Sequence, residues 1–123
     1  MTFSVSVAGL CEELRQRPVA WSTAAQLLDA ATSMAANYRA TSRARSRSEW
    51  ISKLAVVAEE ADESVHWLEF IAASGFASRE RVDPLMSEAT ELRSIFAASY
   101  ATSRRHRTSR SRRHRTSSSK LHR

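Results

Sequence analysis

Apolar positions along this chain recur every three or four residues, the period of one helix face, and they do so in four separate stretches. Phe3, Val7, Leu10, Cys11 and Leu14 form the first stripe. It ends in "RQRP", because Pro18 cannot occupy a helix interior and holds the residue before it extended. From about Val19 a second stripe comprises Ala20, Ala24, Leu27, Leu28, Ala31, Met34, Ala35 and Tyr38. It is largely alanine, so a neighbouring helix can approach closely. Ser46 followed by Glu49 forms a capping box and predicts the start of helix three, with the stripe Trp50, Leu54, Val57, Ala61, Val65, Leu68 and Ile71. Gly75 can adopt the left-handed conformation that ends it. The fourth stripe, Val82, Leu85, Ala89, Leu92, Phe96 and Ser99, alternates by three and four, with Asp83 as expected cap and Pro84 in the first turn. Four amphipathic helices joined by short connections predict an all-α, antiparallel up-down four-helix bundle.

Antiparallel helices about Gly75 would bring Glu59 or Glu60 opposite Arg93, and an ion pair is expected there. Val56, Trp67 and Phe70 lie off the main seam of helix three. They predict either an oligomer interface or the broad stripe of a central helix.

Composition supports helix, since 42% of the residues are hydrophobic and only two Gly and two Pro are available for turns. Charge divides the chain in two. Residues 104–123 hold eight Arg and one Lys without an acid, whereas the first 103 residues hold ten basic and thirteen acidic groups, a net of −3. The overall +6 therefore comes from the tail, in which an octad, "SRRHRTSR", is followed by a near copy of itself. This segment has no apolar period to offset the entropy of ordering, so a bundle domain over 1–103 and a disordered basic tail over 104–123 are expected. Duplication of coding DNA would also produce the repeat.

Cys11 is the single cysteine, which excludes an internal disulfide and predicts a buried apolar group in a reducing compartment. No run approaches the roughly twenty apolar residues of a membrane span, and the chain opens without a basic leader, so a soluble cytoplasmic protein is expected.

The stretch from Ala35 to Phe70 carries Asn37-Tyr38-Arg39, then Arg43-x-Arg45-Ser46, Glu49-Trp50, Glu59 to Glu63, and Trp67-Leu68-Glu69. In these elements the chain resembles the bacterial four-helix bundle family first noticed in reading frames within 23S ribosomal RNA intervening sequences. The likeness continues from Glu88 to Arg105. It implies a homopentameric bundle without enzymatic activity or cofactor. It also implies kinship with accessory proteins of diversity-generating retroelements, basic pentamers that bind a reverse transcriptase and nucleic acid. The acidic body departs from those relatives, and the arginine tail lies outside the family pattern.

Two basic groups are candidates for RNA or DNA contact: Arg39, Arg43, Arg45 and Arg47 around the second turn, and Arg104, Arg105, Arg107, Arg110, Arg112, Arg113 and Arg115 in the tail. The first group also reads, with slightly more weight, as a solvated loop whose arginines pair with nearby carboxylates. The tail offers guanidinium forks for phosphate but no aromatic ring to stack a base, so its binding would be indifferent to sequence. Glu63-x-x-His66 has the spacing used by di-iron bundles, but a second such motif is missing and a surface histidine beside Trp67 is expected. Without a nucleophile or phosphate loop near the glutamates, no catalysis and no metal are expected. The chain reads as a non-enzymatic oligomeric adaptor that binds nucleic acid, the alternative being a protein-binding scaffold with no nucleic-acid role.

Overall fold

The computed structural model of the chain describes the backbone of residues 2–121 and the side chains of residues 2–105. Four helices follow one another: α1 (Thr2–Leu14), α2 (Pro18–Thr41), α3 (Arg47–Ala73) and α4 (Arg79–Leu121). Each packs on its neighbours in sequence and α1 closes on α4, so the four form an antiparallel up-down bundle. No helix among the described residues is long and apolar enough to cross a membrane.

Local chemistry sets most of the boundaries. Pro18 occupies the first position of α2, where its missing N–H would have no partner anyway, and Arg17 before it is extended. Ser46 caps α3 by accepting the Glu49 N–H at 3.0 Å. The return bond of the expected capping box is displaced by one residue: the Glu49 carboxylate accepts the Arg45 N–H at 3.3 Å. At the far end of α3 the Phe76 N–H donates to the Ile71 carbonyl and the Gly75 N–H to the Ala72 carbonyl, both at 3.1 Å. These paired bonds require the positive φ of +71° that Gly75 supplies.

Helix α4 begins one turn earlier than its sequence suggests. Ser78, not Asp83, caps it, the serine Oγ accepting the Arg81 N–H at 3.2 Å. Asp83 instead lies within the helix, 3.9 Å from Arg79. Pro84 is consequently in the second turn, where it forgoes the bond to the Glu80 carbonyl on an exposed face. The α3–α4 connection spans residues 74–78, so the hairpin is centred past Gly75, and Arg93 meets Asp62, at 3.4 Å, and not Glu59 or Glu60.

The core is built on the α2–α3 pair. Ala20, Ala24 and Ala31 are fully covered, and Leu27 of α2 joins Val57, Leu68 and Ile71 of α3 in the same cluster. Each such aliphatic side chain contributes on the order of 1.5–3 kcal/mol on burial. Val7 and Leu10 of α1 and Val82, Leu85 and Ala89 of α4 complete it. Ser64 is buried there without penalty because its hydroxyl donates to the Glu60 carbonyl at 2.8 Å. Cys11 is buried as expected: its Sγ donates to the Ala24 carbonyl at 3.2 Å, and burial pushes the thiol up to about 11.

Tyr38 departs from the stripe that predicts it buried and is 58% exposed. The cause is helix length. At thirteen residues α1 spans about 20 Å against about 36 Å for α2, so folding back from the 15–17 turn it covers only the first half of α2. Along α4, tertiary packing reaches Ser103, which is 7% exposed, while the helix continues to Leu121. Of the tail expected to be disordered, residues 104–123, the side chains from 106 onward lie outside the described residues.

Replacing Gly75 by Ala adds a Cβ that meets nothing within 4 Å, so its cost is the backbone's alone. Urea unfolding of Gly75→Ala is expected to show a loss of about 1–2 kcal/mol; an unchanged midpoint would contradict the left-handed cap.

Candidate nucleic-acid interface

The α2–α3 turn satisfies its own polar groups. Thr41 and Ser42 hydroxyls donate to the Tyr38 and Arg39 carbonyls at 2.6 and 2.8 Å, and the Arg43 and Ala44 N–H groups bond back to Ala40 and Thr41. These bonds take up carbonyls that the end of α2 would otherwise leave open. The side chains of Arg39, Arg43, Arg45 and Arg47 therefore project outward, all exposed. Among the described residues none of the four guanidiniums has a hydrogen bond or ion pair, so the pairing with neighbouring carboxylates that would make this a neutral loop is not formed. Glu49, the first acid after them, is engaged by backbone.

A second basic group arrives from α4. The Tyr38 and Phe96 rings meet at 5.4 Å, which sets Phe96 level with the last turns of α2. Residues beyond it, including exposed Arg104 and Arg105, therefore lie at the same end of the bundle as the α2–α3 turn. Arg105 donates to the Thr102 hydroxyl at 3.4 Å. The side chains of Arg107, Arg110, Arg112, Arg113 and Arg115 lie outside the described residues. Convergence of two arginine groups far apart in sequence is not among the expectations above, although the antiparallel helix order contains it.

The opposite end has arginines as well, but they are matched. The Arg81 Nε–H is shared between the two Glu13 carboxylate oxygens at 3.0 and 3.1 Å, Arg15 pairs with Glu12 at 3.5 Å, and Arg17 donates to the Phe76 carbonyl at 3.2 Å while covering the Phe76 ring. One end of the bundle thus has its arginines paired, and at the other the four turn arginines are open.

Between the ends, on α2 and α3, the acids collect. Burial, then Glu63, Glu59 and Asp29 of the facing helix, push the Glu60 carboxyl above its ordinary value. Glu63 and His66 stand without further donors: among the described residues no group of three or more His, Cys, Asp or Glu side chains could hold a metal. His66 instead packs edge-on against Trp67 at 4.7 Å. On this outer face Val56 and Trp67 are half-buried and Phe70 is 44% exposed, with Trp67 and Phe70 centroids 6.1 Å apart. The Trp67 indole N–H is buried and has no acceptor among the described residues.

A groove missed by sequence reasoning opens where α1 stops. It encloses about 380 Å³ between the first turn of α1, the second half of α2 and α4, and is lined by Phe3, Met34, Tyr38, Leu92, Ile95 and Phe96. Periodicity assigns Phe3, Met34, Tyr38, Leu92 and Phe96 to the apolar faces of their helices and cannot show how far each is covered.

Glu60→Gln is expected to stabilise the bundle at neutral pH by about 0.2–0.5 kcal/mol, the size of a like-charge helical contact. A raised folded-state value means that the ionised carboxyl opposes folding, so the gain should vanish as pH falls through the ordinary carboxylate range. Thermal midpoints of both proteins across that range check the sign; a gain that persists in acid would refute it.

The model of the family described as 23S rRNA-intervening sequence protein matches residues 1–98. A crystal structure of a protein of unknown function from the S23 ribosomal protein family of Bacteroides thetaiotaomicron is similar in sequence and fold, with 27% identity and a TM-score of 0.75. The match covers 80% of this chain and 92% of that one. No curated protein matches the chain.

Proposed function

The chain belongs to the 23S rRNA-intervening sequence protein family, and from that premise we propose that it is a non-enzymatic, homo-oligomeric accessory protein that holds RNA or DNA by the arginine-rich end of its bundle. The observation that carries this reading is the set Arg39, Arg43, Arg45 and Arg47, exposed and without ion pairs among the described residues, at the same end as Arg104 and Arg105. Guanidiniums that have no internal partner retain all their donors for phosphate oxygens. Binding of this kind releases counterions, so it is strongly salt-dependent and indifferent to sequence.

Assembly multiplies the effect. In a pentamer, five tails of +9 each would bring about forty-five positive charges to one particle, and weak linked contacts gain avidity from effective concentration. The acidic α2–α3 face stays away from the nucleic acid in this arrangement and remains for a protein partner such as a reverse transcriptase. The proposed setting is cytoplasmic.

A second reading rests on the outer face of α3. Phe70 is 44% exposed and packs beside half-buried Trp67, which suits a protein interface, either with another copy or with a different partner. In that scaffold role the tailless bundle would retain its partner in the presence of nuclease.

Three forms of the protein separate these readings across a salt series: the full chain, one ending at Ser103, and Arg43→Ala/Arg45→Ala. The double variant is expected to bind more weakly and to lower the slope of log K against log salt by about 0.7–0.9 for each phosphate no longer neutralised. Truncation should lower affinity and slope further. Equal affinity and slope in all three forms would reject nucleic-acid binding by these groups, and a monomeric mass by light scattering would reject assembly.

A further inference from the structure

We propose that the outer face of α3, from Glu59 to Phe70, is a docking site for the arginine-rich tail of a second copy of this chain. The tail then joins one protomer to the next, and the contact is independent of nucleic-acid binding.

Position on the helix defines the face. Glu59, Glu63, His66 and Phe70 follow one another at intervals of four, three and four residues. They form one stripe roughly 16 Å long, on the side of α3 opposite buried Val57, Ala61 and Leu68. All four are exposed, and Val56 and Trp67 beside them are half-buried.

Charge chooses the occupant. Residues 54–78 contain five acids and no Lys or Arg, and in residues 18–38 of α2, which packs on α3, Asp29 is the only charged side chain. Asp62 is paired with Arg93, whereas Glu59, Glu60 and Glu63 have no ion pair among the described residues. Burial, with Glu63, Glu59 and Asp29 close by, holds the Glu60 carboxyl above its ordinary value. The face repels phosphate and lacks a cation of its own, while residues 104–123 supply nine cations and no acid.

Aromatic rings narrow the cation to arginine. Trp67, Phe70 and Phe76 form a run with centroids 6.1 and 6.3 Å apart. Its last ring already carries a guanidinium, since Arg17 stands 5.3 Å over Phe76. Phe70, the middle ring, is 44% exposed and offers the same kind of surface to a second. A planar guanidinium can stack on this ring and also fork onto a carboxylate, which an ammonium cannot do. Eight of the nine tail cations are arginine.

Helix direction decides between a chain's own tail and a neighbour's. At the end of the bundle that holds the α2–α3 turn, α4 continues past the body to Leu121. Glu59 lies about 18 Å and Phe70 about 34 Å into α3 from that end, so α4 carries the tail away from both. A tail seated on a different surface of the next chain makes a heterologous contact, which repeats until a ring closes.

Photo-cross-linking of the full chain, purified with nuclease, tests this contact. The variant Phe70→p-benzoylphenylalanine is expected to join two chains. In a mixture of isotope-labelled and unlabelled protein, mass spectrometry should place the link between position 70 of one chain and residues 104–121 of the other. Adding Glu59→Gln/Glu63→Gln should lower the yield about fivefold, the loss expected of two exposed ion pairs, and about 1 M salt should lower it as far. Glu80→Gln/Glu91→Gln, which removes the same charge from α4, should leave the yield unchanged, and thermal midpoints verify that all variants are folded. A link within a single chain, a link to residues 39–47 or to any other part of the neighbouring bundle, or equal losses in the two glutamine pairs overturns the proposal. Nucleic-acid binding is read by the salt series on the truncated chain and stands or falls apart from this contact.

Discussion

Close packing of α2 on α3 through alanine is the constraint on which the rest of the bundle depends. Ala20, Ala24 and Ala31 of α2 are fully covered and share one core cluster with Leu27 of α2 and Val57, Leu68 and Ile71 of α3. Alanine loses no rotamer freedom on burial, so this contact is formed without the entropy that longer side chains would forfeit. The pair is long, and it determines where the other two helices can lie. Both α1 and α4 attach to a surface already formed, α4 along most of α3 and α1 along only half of α2.

Charge is also distributed unevenly between the ends of the bundle. At the end where α1 and α4 meet, arginines are tied down by carboxylates and by the Phe76 ring. At the other end the four arginines of the α2–α3 turn have no carboxylate partner among the described residues.

Much of this was legible residue by residue. Ser46, Pro18 and Gly75 act through the backbone of their immediate neighbours, and each stands where its chemistry requires. Asp83 misled because two adjacent caps competed. Ser78 offered an equivalent oxygen one turn earlier, and an exposed proline in the second turn cost only one hydrogen bond. Arg93 meets Asp62 because the hairpin is centred past Gly75, the residue that ends α3.

Sequence alone determined the four helices, the apolar face of each, the separation of charge between body and tail, and the family. These follow from periodicity and capping, which act over a few residues. Only the tertiary structure decided that the turn arginines lack partners among the described residues, that Arg104 and Arg105 lie at the same end, and that Tyr38 borders an open groove. The reason is that exposure belongs to the assembly of helices. A stripe shows which face of a helix is apolar, but whether anything covers it depends on where the neighbouring helix ends.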